Sequence, residues 1–225
     1  MGIHDTIVGF DDLLTNLRAL GYRARAASGD ERARLGASDR HCITLEGHAV
    51  DMISVRLEGG VGLRDNLRHR AGRVSLGWLP VSSRTVLPIR THYIFRCDPR
   101  EESGNLSARL ELECEGIFKR RAVAAYWSGG RLAGVLNAEP RSVARLLGLV
   151  GPTETLRIKP DVAAGCVRIV HGTVRVLDYS LFKEGLVSFQ QDLAPRELLL
   201  AIEGLAEQVR RYLRQCGGCQ TGQDD

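Results

Sequence analysis

Between Leu106 and Leu136 the sequence carries the pattern that most restricts its fold. Leu106, Ala108, Leu110, Leu112 and Cys114 take every second position, with Ser107, Arg109, Glu111 and Glu113 between them. A period of two marks a half-buried strand, one face packed and the other wet. Gly116 and Gly129-Gly130 punctuate the stretch, which predicts a three-stranded antiparallel meander. A tight turn at Gly116 pairs Cys114 with Phe118, Leu110 with Ala122 and Leu106 with Tyr126, keeping the apolar side chains on one face. The same register sets Glu113 against Lys119 and Glu111 against Arg121, cross-strand pairs worth roughly 0.2–1 kcal/mol each. Ser128-Gly129-Gly130-Arg131 supplies the positive-φ residues of a type I′ hairpin.

The rest of the chain supplies helices and shorter strands. Leu13, Leu14, Leu17 and Leu20 share one helical face and Gly21 follows as a stop, which predicts a helix over 10–20. Ser28 and Glu31 have capping-box spacing, so a short helix is expected there. Strands are expected over 41–46, 50–57, 74–78 and 91–97, and a middle helix runs from an Asn137 N-cap to about Leu147. Beyond Gly151-Pro152, Leu156 with Ile158, residues 166–170, Val174 with Val176, and residues 186–189 read as separate short strands. Pro195 opens a long helix whose Leu198, Ile202, Leu205, Val209 and Leu213 form an apolar stripe, with Glu207 and Arg211 spaced as an exposed ion pair. The sum is an α+β domain over 1–215: a mostly antiparallel sheet or partial β-barrel with N-terminal, middle and long C-terminal helices. A subdomain break falls near 151, and a flexible tail covers 216–225.

Composition narrows the classes. A hydrophobic fraction of 44% with 26% charged residues is ordinary for a globular chain and argues against global disorder. The net charge of +4 is mild, and its cations are nearly all arginine, which is weak grounds for a nucleic-acid partner. No apolar run is long enough to span a membrane and no export signal opens the chain, so a cytoplasmic protein is expected. Most of the cysteines sit inside apolar strand patterns, where they serve as small buried hydrophobes in a reducing compartment.

Two segments carry candidate chemistry. From Gly59 to Arg73 a glycine turn precedes a basic run, and Gly60 and Gly62 could present backbone N–H groups to a phosphate that Arg64, Arg68 and Arg73 clamp. Asp65 stands where a dinucleotide fingerprint needs its third glycine, and there is no Walker lysine. Residues 50–79, with Leu63-Arg64-Asp65-Asn66-Leu67-Arg68 and Arg73-Val74-Ser75-Leu76, resemble the strand, helix and strand of FMN-binding split-barrel flavoproteins. That resemblance implies arginines on an FMN phosphate and an oxidoreductase whose cofactor supplies the chemistry. The second segment is Cys216-Gly217-Gly218-Cys219, two thiols that could ligate zinc or cycle as a dithiol. Zinc needs four ligands, and the missing pair would come from a second subunit, making a homodimer, or from Cys42 with His41 or His48. Glu111, Glu113 and Glu115 share a strand face, but a solvated ion ladder explains them better than magnesium. Three readings stay open: a binding or assembly protein for an anionic, phosphate-bearing ligand, an FMN oxidoreductase, and a nonspecific RNA or DNA binder.

Overall fold

The computed structural model describes residues 10–39, 41–57, 82–97, 99, 104–116, 121–180 and 196–216. The elements run α1 (Phe10–Ala19), β1 (Ala24–Ala26), α2 (Gly29–Arg34), β2 (Cys42–Leu45), β3 (Met52–Leu57), β4 (Ser82–Arg96), β5 (Ala108–Glu115), β6 (Arg121–Gly129), α3 (Arg131–Asn137), α4 (Pro140–Leu149), β7 (Thr155–Asp161), β8 (Cys166–Ser180) and α5 (Arg196–Gln215). The strands form one eight-stranded sheet in the order β1-β2-β3-β4-β8-β7-β5-β6, every neighbour antiparallel, and it does not close into a barrel. Strands before and after residue 151 pair directly, β5 with β7 and β4 with β8.

Period-two alternation sorts the sheet into two unlike faces. Ile43, Ile53, Val55, Ile89, Tyr93, Phe95, Leu156, Ile158, Val167 and Ile169 pack with Leu13 and Leu17 of α1, Leu132 and Leu136 of α3, Leu146 of α4 and the stripe of α5 in one core. The opposite face carries a smaller cluster in which Leu35 and Ala37 cover Cys42, Met52, Ile94 and Cys166. Every member of the α5 stripe is buried, as the spacing requires. Polar contacts fix the helix along its middle turns. Glu203 lies 3.1 Å from His48 Nδ1 and accepts from the Tyr22 hydroxyl at 3.4 Å, while Arg210 reaches Asp51 at 3.3 Å across the Phe95 ring. Burial, with the Glu203 charge beside it, pushes the Tyr22 phenol up to about 12. Arg211 pairs with Glu139, the N-cap of α4, at 3.7 Å.

The expected meander is corrected in two respects. Its first two strands pair as Leu110 with Trp127 and Glu111 with Tyr126, not as Leu110 with Ala122. Beside the turn Cys114 pairs with Ala122 and Glu115 with Arg121, and a register shift of one residue between Glu113 and Cys114 then reverses the faces of β6 beyond it. Trp127 decides the outcome, because it is 2% exposed in the core while Tyr126 is 45% exposed. Glu111 therefore misses Arg121 and contacts Arg109 and Ser128 instead, at 3.3 and 3.1 Å. The third strand is a helix, α3. Leu132, Ala133 and Leu136 recur at helical spacing and are all buried. Gly130 is its N-cap and packs so tightly that a Cβ there would lie 2.4 Å from the Asn105 carbonyl oxygen.

Asn137 ends this helix and does not cap the next one. Its amide accepts from the Trp127 N–H at 2.7 Å and donates to the Trp127 carbonyl at 2.8 Å, covering the open side of edge strand β6. The expected strands at 166–170 and 174–176 are one strand, β8, paired residue for residue with β4. Gly172 is no break in it: a Cβ there would meet the Thr155 hydroxyl at 2.5 Å, so glycine allows close strand approach.

Candidate anion-binding face

The face opposite α1, α3, α4 and α5 is basic. On β3 and β4 Arg56 stands directly opposite Arg90; on β5 and β7 Arg109 stands opposite Arg157; on β7 and β8 Lys159 stands opposite Arg168. Like charges in directly opposed positions destabilise a sheet. Three such pairs on one face concentrate positive potential at some cost to the fold. The alternation responsible is local: Leu156-Arg157-Ile158-Lys159 puts aliphatic side chains into the core and cations onto the other side.

These cations differ in their commitments. Arg168 is used structurally, binding Asp161 at 2.7 Å and the Leu35 and Gly36 carbonyls at 3.0 Å, which fastens the segment after α2 to the sheet. Arg109 contacts Glu111. The Arg157 Nε is buried with no hydrogen-bond partner among the described residues, and Lys159 is exposed. β5 pairs β7 over only three residues, and at that junction lies a shallow cleft of about 270 Å³. Ser107, Arg109, Ser128, Gly129, Arg157 and Lys159 line it. Guanidinium, ammonium and hydroxyl groups converging on one cleft make a donor set for a phosphate or a similar oxyanion.

His92 lies between this cleft and the Arg56–Arg90 pair. It is cross-strand to Ser54 on one side and to Val170 on the other, and Val170 in turn faces Arg157. Burial, with Arg56, Arg168 and Arg90 around it, brings the imidazole down to about 4, so the ring is neutral near pH 7. Both ring nitrogens are buried without a hydrogen-bond partner among the described residues.

Gly60, Gly62, Arg64, Arg68, Arg73 and Cys219 lie outside the described residues. Cys216 is exposed just beyond the end of α5. The alternative zinc partners are held separately: the Cys42 thiol donates to the Asp39 carbonyl, His41 packs on Phe10, and His48 faces Glu203. Among the described residues no group of three or more His, Cys, Asp or Glu side chains could hold a metal ion, and no helix is long and apolar enough to cross a membrane. Of the aromatic residues on the sheet, Tyr93, Phe95 and Trp127 are core and Tyr126 is exposed. Arg56, Arg90, Arg109, Arg157 and Lys159 were not singled out by sequence reasoning. Their signal was the cation phase of each strand, which gains meaning only once the strands are paired. Compared with protein-family models, curated proteins and solved structures, the chain matches none.

Proposed function

We propose that this chain is a non-catalytic binding protein for a phosphate-bearing anion, held in the cleft between β5 and β7 by Arg109, Arg157 and Lys159. The observation that carries the reading is Arg157: a cation directly opposite another cation, with its Nε buried and without a hydrogen-bond partner among the described residues. An anion there would screen the repulsion and satisfy the donor together. Binding is favoured over chemistry because Glu111, the carboxylate beside the cleft, is occupied by Arg109 and the Ser128 hydroxyl. The basic run Arg64, Arg68 and Arg73, which follows β3 in sequence, is proposed as a separate anion contact. Thermal unfolding in sodium phosphate against sodium chloride at matched ionic strength tests the proposal. Phosphate at about a hundred times its Kd should stabilise the fold by about 2.7 kcal/mol. The gain should vanish in Arg157→Gln/Lys159→Gln. No gain in the parent chain, or an equal gain in the variant, contradicts the reading, and a flavin retained on purification would replace it with the oxidoreductase.

A further inference from the structure

Building on that reading, we infer that the anion is one phosphate of a single-stranded polynucleotide, which crosses the sheet from the Arg109–Arg157–Lys159 cleft to the Arg56–Arg90 pair. Distance is the first argument. The cleft lies on β5 and β7, the Arg56–Arg90 pair on β3 and β4, and β8 runs between them. At about 4.8 Å per strand, β7 and β4 are about 10 Å apart and β5 and β3 about 19 Å. An inorganic phosphate reaches one cluster. So does FMN, with its single phosphate, and so does a dinucleotide cofactor, whose two phosphates share a bridging oxygen. A chain of separated phosphodiesters reaches both.

The ground between the clusters suits such a strand. On this face β8 presents Val170 and Gly172, opposite Arg157 and Thr155, and Gly172 keeps the floor low, while the Asp39 carboxylate, bonded to Ser54 at 2.7 Å beside His92, borders the path. His92 borders the path as a neutral ring whose two nitrogens are buried, so it adds no charge there. At the far end Tyr126, 45% exposed and directly opposite Glu111, adjoins the cleft and offers a base one stacking surface. A duplex fits less well. A major groove about 12 Å wide admits a two-stranded ribbon, whereas the cations here lie on four strands, β3, β4, β7 and β5, with β8 between them.

The test is fluorescence anisotropy on the full chain, using labelled oligothymidylate and oligouridylate of about ten nucleotides and a duplex of the same length. Single strands should bind, with log K falling against log salt by about 0.7 for each phosphate contacted. Arg56→Gln and Arg157→Gln should each weaken binding several-fold and flatten that slope by about 0.7, while Arg56→Lys keeps the parent slope. Circular dichroism and the urea midpoint check the fold of each variant. The inference falls if Arg56→Gln leaves affinity and slope unchanged, if Arg56→Lys loses as much as Arg56→Gln, or if the duplex binds as tightly as the single strands. If phosphate still stabilises the parent chain through Arg157 and Lys159 in those cases, the cleft remains a site for a small phosphate and only the polynucleotide is excluded. If neither phosphate nor an oligonucleotide binds, both readings fall.

Discussion

Acid should weaken this fold through His92 in a way that a single substitution can isolate. The ordinary imidazole value of 6.5 applies in the unfolded chain, and the native sheet brings His92 down to about 4, by burial first and by Arg56, Arg168, Arg90 and the partly opposing Asp39 after it. The unfolded state therefore holds the proton more tightly. Stability from this residue is complete above about pH 6.5, declines as the pH falls, and levels off below about pH 4. A tenfold difference in proton affinity is worth about 1.4 kcal/mol, so the gap from 6.5 to about 4 sets a ceiling of about 3 kcal/mol. The ring is only partly buried, and solvent screening reduces the expected loss to about 1–2 kcal/mol. Urea unfolding of the parent chain and of His92→Gln at pH 7, 5.5 and about 4 measures it. Carboxylates such as Glu154 titrate in both proteins and cancel in the difference. The parent should lose about 1–2 kcal/mol more than the variant. Equal pH dependence would refute the claim that the cationic face holds His92 neutral. A bound phosphate should shrink the difference, since it offsets the arginines that disfavour the proton.

Three further outcomes are expected. Gly130→Ala should destabilise by about 1–3 kcal/mol, read from the urea midpoint, because the added methyl meets the Asn105 carbonyl although the backbone φ of −69° is ordinary. Gly134→Ala, in the same helix with nothing within 4 Å of the new Cβ, should stabilise by about 0.4–1 kcal/mol in the same assay. Asn137→Ala should cost about 1–3 kcal/mol and raise concentration-dependent association in sedimentation velocity, since it uncovers the Trp127 backbone on the sheet edge.

The elements legible in the sequence are those whose signals are local. The α5 stripe and Leu13 with Leu17 of α1 are buried as their spacing predicts. Ser28 and Glu31 form both bonds of the capping box, at 3.3 and 2.9 Å. Misreadings arose where a distant partner decides. Gly116 invites a tight turn, but burial of Trp127 selects another register and puts Tyr126 outside. Gly129-Gly130 reads as a hairpin, yet Leu132, Ala133 and Leu136 need a helix to reach the core together. Residues 166–170 and 174–176 read as separate strands until their pairing with β4 joins them. The basic face shares this character. Arg109 and Arg157 lie far apart in the chain, and nothing local to either announces that β5 and β7 set them side by side.

The most direct test of the anion-binding face is a phosphate titration followed by NMR of the arginine side-chain Nε–H groups. The Arg157 resonance should move with phosphate, while those of Arg25 and Arg168, whose Nε–H groups are already bonded to Glu46 and Asp161, hold their positions. An Arg157 signal that stays fixed while Arg64, Arg68 and Arg73 move would put the anion on the glycine-rich segment instead, and no movement at any arginine would contradict anion binding altogether.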